Sequence, residues 1–134
     1  FGEIDCRKDE GILAFSKKEN MDISSIIIKT IKLYLDYMEK KLALFFSKRY
    51  YFGVAAPSVR SENIDDLDIK RKQLISEYNS ILKAELKVRG SYFIDVYSCT
   101  SNNQGFNNGI YMCDDNHLSP NALDILLSNY LIKP

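Results

Sequence analysis

The sequence predicts an α/β fold with a parallel sheet. Two observations carry this: long segments of helical period alternate with short apolar runs, and those runs lack the in-out alternation of a half-exposed strand. The alternation implies parallel strands joined through helical crossovers. At 134 residues, 46% hydrophobic and 27% charged, the chain has the length and composition of one globular domain, here residues 1–134.

The elements follow in order. Phe1-Gly2 reads as the end of a buried strand, which carries the expectation that sequence continues upstream. Residues 21–48 read as a long amphipathic helix with Asp22 as N-cap. Ile27, Ile31, Leu35, Met38, Leu42 and Phe45 recur at spacings of 4, 4, 3, 4 and 3, which keeps them on one face. Tyr50 to Ala56 is an apolar run closed by Pro57 and reads as a strand buried on both faces. Residues 66–89 return to helical spacing, with Leu74, Tyr78, Ile81, Leu82 and Leu86 on one side and Gly90 as a stop. Tyr92 to Tyr97 reads as a second strand, and 98–112, rich in Asn and Gly, as a loop. Ser119 as N-cap and Pro120 at the first helical position open a last helix. Leu123, Leu126, Leu127, Tyr130 and Leu131 form its apolar side.

Charge and cysteine usage narrow the function classes. Eighteen basic and eighteen acidic residues cancel, which argues against a general electrostatic grip on nucleic acid. Lys70-Arg71-Lys72 reads as a solvated helix face. Cys6, Cys99 and Cys113 form no C-x-x-C pair and stand beside a single histidine, so neither a disulfide framework nor a zinc site is expected. They read as free thiols in a reducing compartment, hence a cytoplasmic expectation. No apolar run approaches the ~18–20 residues of a membrane span. No metal or organic cofactor is called for, and no Gly-rich phosphate loop is present.

In a parallel sheet the ligand site lies beyond the carboxyl ends of the strands. That directs attention to Asp5–Arg7, Pro57–Arg60 and Ser98–His117. The informative run is Asp114-Asp115-Asn116-His117-Leu118-Ser119-Pro120: a carboxylate three residues before a histidine, just ahead of a capped helix. Serine hydrolysis needs a base that takes and returns the hydroxyl proton, and a carboxylate that fixes the imidazole tautomer. One short turn supplies both. Asp115 reads as a solvated neighbour or an acid on the approach to the last helix, and Asn102, Asn103, Asn107 and Asn108 as turn formers. Cys6 reads as a small buried residue, with a thiol nucleophile as the alternative.

Asp114-x-x-His117-Leu118-Ser119 resembles the last sequence block of the SGNH/GDSL hydrolase superfamily, which holds the Asp and His of a catalytic triad. Tyr78-Asn79-x-x-Leu82, Gly90 and Phe93-Ile94-Asp95-Val96 are also similar to that family. Gly2-Glu3-Ile4-Asp5-Cys6-Arg7 resembles a recurrent variant of its third block, with Ile4 where the usual block has an oxyanion-hole Asn. The resemblance spans the chain but only the second half of the family's pattern; the block with the nucleophilic Ser has no counterpart.

The resemblance implies a three-layer, flavodoxin-like sheet of order 2-1-3-4-5, to which this chain supplies strands 3, 4 and 5 and from which the N-terminal strands are absent. It implies a serine-type esterase or acyltransferase acting on an acyl, in particular acetyl, ester such as that of a carbohydrate. His117 would be the base and acid, Asp114 its orienting partner, and Arg7 and Asp5 oxyanion or substrate contacts. For Asp5 and Arg7 a structural ion pair is the equal alternative. The Ser would lie outside this chain, and a missing segment or partner chain would cover the exposed sheet edge. The alternative is a non-catalytic fragment or binding module that lacks the nucleophile.

Overall fold

The computed structural model describes residues 2–42, 48–59, 63–115 and 117–131, the side chains of 129–131 excepted. The chain is mixed α/β, mostly helical, with a small two-stranded parallel sheet. A 3-10 turn, Ile4–Cys6, leads to α1 (Gly11–Glu19) and α2 (Ile23–Leu42). Then follow β1 (Tyr50–Phe52), α3 (Asp66–Val88), β2 (Tyr92–Ile94), a short α4 (Val96–Thr100) and α5 (Pro120–Leu131). The strand expected to end at Phe1 and the helical position of Phe45 lie outside the described residues.

Both expected strands are shorter than their apolar runs. β1 and β2 pair over three residues, Tyr50 with Tyr92, Tyr51 with Phe93 and Phe52 with Ile94. Gly53 N still donates to Ile94 O at 2.9 Å, and beyond Gly53 the chain leaves the ladder. Asn79 on α3 takes over its backbone, accepting from Val54 N at 2.7 Å and donating to Val54 O at 2.9 Å. Beyond Ile94, Asp95 turns the chain by accepting from Ser98 N at 3.0 Å, so Val96–Thr100 is helix rather than strand and loop. The helix α1 escaped the sequence reading. It begins at Gly11, where φ is +73°, and ends on Asn20 in the left-handed region, a terminus without the Ser, Thr or Asp signal sought there.

The helix expectations fare better. Asp22 accepts from Ser25 N at 2.8 Å, as an N-cap does. Ile27, Ile31 and Leu35 are buried on the predicted face of α2, and Leu74, Tyr78, Leu82 and Leu86 on that of α3. α3 opens with a reciprocal capping box between Asp65 and Asp68. In α5, Ala122 and Leu126 are the buried positions, whereas Leu123 is 46% exposed. Pro120 is the first helical residue, but the Ser119 hydroxyl is buried without a hydrogen-bond partner among the described residues; Ala122 N bonds instead to the Ser119 carbonyl.

Packing follows the two faces of the sheet. Tyr51 and Phe93 join α1, α2 and α3 in the main cluster, and Ile94 joins Val96, Ala122 and Leu126 in a second. Gly2 packs against Val54 and Tyr78 of the main cluster only because it lacks a side chain. A Cβ there would lie 2.7 Å from Val54 Cγ2 and 3.2 Å from the Tyr78 ring, at φ +89°.

Two buried polar contacts generate predictions. Asn79→Ala leaves both Val54 backbone groups without their partner and lowers the unfolding free energy by about 2–3 kcal/mol, read from urea denaturation. The buried Asp68 carboxylate is paired with the Lys8 ammonium. Burial opposes its charge, but Lys8 and the Asp65 N–H outweigh burial and hold it below its ordinary value. A carboxyl depressed on folding stabilises above the ordinary carboxylate range and loses that contribution as pH falls through its folded value. Asp68→Asn therefore flattens the acid side of the stability–pH curve, measured by thermal melts from neutral pH to pH ~3.

Candidate functional site

The turn carrying Asp114 and His117 is closed by its own backbone. Cys113 N donates to His117 O at 2.9 Å, Met112 bridges to Leu118, and Ser119 N reaches Tyr111 O at 2.8 Å. Within this clamp the Asp114 carboxylate bonds twice. Oδ1 accepts from His117 N at 2.8 Å, and Oδ2 lies 2.7 Å from His117 Nδ1. A carboxylate only accepts, so Nδ1 carries a proton, and in the neutral ring the lone pair then lies on Nε2. The two side chains are 65% and 54% exposed.

His117 forms part of the wall of a cleft of about 200 Å³. Its floor is the extended chain past β1, where Gly53, Ala55 and Ala56 present little bulk; Ile75, Met112 and Leu118 add apolar surface. Ala56 N is held by Thr100 Oγ1 at 2.9 Å, and that hydroxyl donates to Val96 O at 2.9 Å. The cleft thus lies beyond the carboxyl end of a parallel strand, where such sheets hold ligands.

A second cleft, about 360 Å³, is polar and includes Arg7, Lys8, Ser58, Arg71 and Asp115. It is larger but carries no part of the Asp114–His117 pair. The two clefts share Arg71 and Asp115. Comparison with protein-family models, curated proteins and solved structures finds no match.

Of the residues singled out in the sequence, the structure brings Asp114 and His117 together. It leaves Asp5 and Arg7 outside their cleft. Asp5 Oδ2 accepts from Gly2 N at 3.2 Å and closes the N-terminal turn. The ion pair expected between Asp5 and Arg7 is replaced by others: Arg7 Nε donates to Glu3 Oε1 at 2.9 Å, and its Nη1 lies 3.5 Å from Glu10. Glu3 precedes the 3-10 turn and Glu10 stands at the N-cap of α1, so the two flank Arg7 in the chain. Together they raise the guanidinium above its ordinary value, the Glu3 hydrogen bond contributing most.

Cys6 is fully buried, and burial foremost, with Asp5 beside it, drives its thiol well above the ordinary range. That environment opposes a thiolate nucleophile. The asparagines shape the loop. Asn102 accepts from Gln104 N and Phe106 N, Asn107 from Gly109 N, and Asn108 from Ile110 N.

Arg71 corrects the reading of Lys70-Arg71-Lys72 as a solvated face. It is buried at 8% exposure, and its Nε donates to the Cys6 carbonyl at 3.0 Å. The signal was present: position 71 lies three and seven residues before Leu74 and Tyr78, on the apolar stripe. Asp115 is likewise half-buried between the clefts rather than a solvated neighbour. Among the described residues no cluster of three His, Cys, Asp or Glu side chains is placed to hold a metal ion, and no helix is long and apolar enough to cross a membrane.

The thiols provide a check on these surroundings. Cys113 is exposed, Cys99 half-buried and Cys6 buried. Iodoacetamide on the folded protein should modify Cys113 first and Cys6 only after denaturation, read by peptide mass spectrometry. Labelling of Cys6 under native conditions contradicts the packing described.

Proposed function

We propose that this chain is the His- and Asp-bearing part of a serine-type esterase or acyltransferase of the SGNH/GDSL kind. The observation that carries the reading is the Asp114 carboxylate on His117 Nδ1 at 2.7 Å, with the same imidazole in the wall of a cleft at a strand's carboxyl end. In this reading Nε2 takes the proton of a serine hydroxyl supplied from outside the chain. The serine oxygen attacks the acyl carbonyl and forms a tetrahedral intermediate, and the imidazolium returns the proton to the departing alcohol. Asp114 holds the ring in the tautomer that leaves Nε2 basic and stabilises the cation as it forms. Backbone N–H groups stabilise the oxyanion.

The shape of the cleft supports a short acyl group. Gly53, Ala55 and Ala56 are among its lining residues, and its volume is about 200 Å³. The polar cleft beyond Arg71 suits the alcohol portion, an ester of a hydroxyl-rich molecule such as a carbohydrate, and Arg7 borders that side. The overall fold in this reading is a three-layer flavodoxin-like sheet. β1 and β2 are its neighbouring inner and edge strands, and further strands and a helix, from a missing segment or a partner, cover the exposed Tyr50, Phe52 and Tyr92.

p-Nitrophenyl acetate tests the reading on the intact protein. His117→Ala lowers kcat by about 10²–10⁴-fold with the fold intact by circular dichroism. Asp114→Asn, which replaces one of the two accepting oxygens with an NH2 donor and removes the charge, lowers kcat by about 10²-fold or more with KM little changed. Hydrolysis that survives His117→Ala at the wild-type rate eliminates the assignment. Alkylation of the exposed thiol leaves the rate unchanged.

A further inference from the structure

Asn107-Asn108-Gly109 ties the loop after α4 to the chain leaving β1. Asn107 N donates to Pro57 O at 2.9 Å, and Asn107 Nδ2 donates to Ser58 Oγ at 2.9 Å. Ser58 belongs to the polar cleft. Asn108 N donates to Thr100 O at 2.8 Å, and Asn108 Nδ2 to Cys99 O at 3.0 Å, which fastens the same segment to α4. An Asn followed by Gly is chemically labile. The nitrogen of the following residue gives up its proton and attacks the side-chain Cγ, ammonia leaves, and a five-membered succinimide forms. Water then opens the ring at one of its two carbonyls and leaves aspartate or isoaspartate. The balance is one water consumed and one ammonia released. Glycine favours the attack because no side chain screens its nitrogen. Gly109 is exposed, with φ +74° and open space where a Cβ would stand, so nothing around it hinders the reaction sterically.

Hydrogen bonds oppose it instead. Gly109 N donates to Asn107 Oδ1 at 2.8 Å, so the proton of the attacking nitrogen is held. Asn108 Oδ1 accepts from Ile110 N at 3.0 Å while Nδ2 is bound to Cys99 O, so the side-chain amide is fixed at both ends. Free rotation of that amide onto Gly109 N requires local opening of the loop. We propose that Asn108-Gly109 is a deamidation site locked by the folded loop, that Asn107 guards it, and that its conversion loosens the loop from residues 57–58. The product places a carboxylate oxygen where Nδ2 donated to Cys99 O. A carboxylate only accepts, so the bond is lost and two acceptors face each other. Isoaspartate also adds a methylene to the main chain between the Asn107 and Ile110 contacts. Either product undoes the fastening to α4 that aligns Asn107 on Pro57 and Ser58.

This chemistry is independent of the esterase reading. The intact protein is incubated in mildly alkaline buffer, folded and unfolded in guanidinium chloride, and conversion at Asn108 is followed by peptide mass spectrometry. The folded protein converts at least about tenfold more slowly, the factor that corresponds to a local opening free energy of roughly 1.4 kcal/mol. Asn107→Ala, which removes the acceptor of Gly109 N, speeds conversion of the folded protein by about threefold or more. Asn107→Asp keeps an acceptor there and stays near the wild-type rate. Asn108→Asp, which stands for the aspartate product, speeds hydrogen exchange at the amides of residues 107 and 108 by about threefold or more, with the core amides of α3 unchanged.

Equal conversion rates in the folded and unfolded wild-type protein overturn the lock, and this comparison needs no variant to fold. A folded Asn107→Ala protein that converts at the wild-type rate removes Asn107 from its guarding role. Unchanged exchange at residues 107 and 108 in Asn108→Asp overturns the loosening of the loop from residues 57–58.

Discussion

Three polar side chains buried on one face of α3 hold the rest of the site in place. Asp68, Arg71 and Asn79 are 3%, 8% and 8% exposed, and each reaches a different segment. Asp68 takes Lys8, Arg71 the Cys6 carbonyl, and Asn79 both backbone groups of Val54. A buried polar group without its partner costs about 1–3 kcal/mol, more if charged, so none of these segments can drift from the helix at low cost. Residues 7–8 and 54–56 of those segments line the two clefts. Cleft geometry is thus a consequence of which residues α3 turns inward.

The Asp114–His117 turn obeys a different constraint. It owes little to the core and is closed by local bonds from Tyr111 to Ser119. With both side chains more than half exposed, their hydrogen bond adds little to stability. What the pair supplies is direction: one carboxylate grips both the backbone N–H and the ring N–H of the same residue, which fixes the imidazole relative to its own main chain. In the proposed chemistry that interaction strengthens when substrate displaces water, because the effective dielectric falls as the cleft is dried.

The sequence made legible whatever depends on period and short-range geometry. The faces of α2 and α3 follow from apolar spacing, the Asp22 cap from its side chain, and the Asp114–His117 contact from a separation that one turn can close. Strand length was not legible. The apolar run reaches Ala56, but the ladder ends after Gly53 because Asn79 takes both backbone groups of Val54, and that amide comes from 25 residues away. Arg71 was misread because its flanking lysines suggest solvent, while its place on the apolar stripe decides its burial. The true partners of Arg7 were hidden for a related reason: Glu3, Asp5, Asp9 and Glu10 all lie near it in sequence, and only the coordinates of the turn select Glu3 and Glu10.

The sheet itself carries the remaining constraint. Three register pairs make a ladder that is marginal by itself, since two isolated strands seldom hold in water. Tyr51 and Phe93 anchor one face to the main cluster, and on the other, among the described residues, Ile94 packs with Ala122 and Leu126 of α5. Tyr50 and Tyr92 stack there at 4.8 Å with 37% and 46% of their surface in solvent, and Phe52 beside them keeps 42%. Apolar surface left in water forgoes roughly 25 cal/mol per Å², so this face gains most from a further covering layer. Phe52 belongs both to that face and to the cleft of His117. The layer that would stabilise the sheet would therefore also supply the dry wall that the proposed acyl chemistry requires.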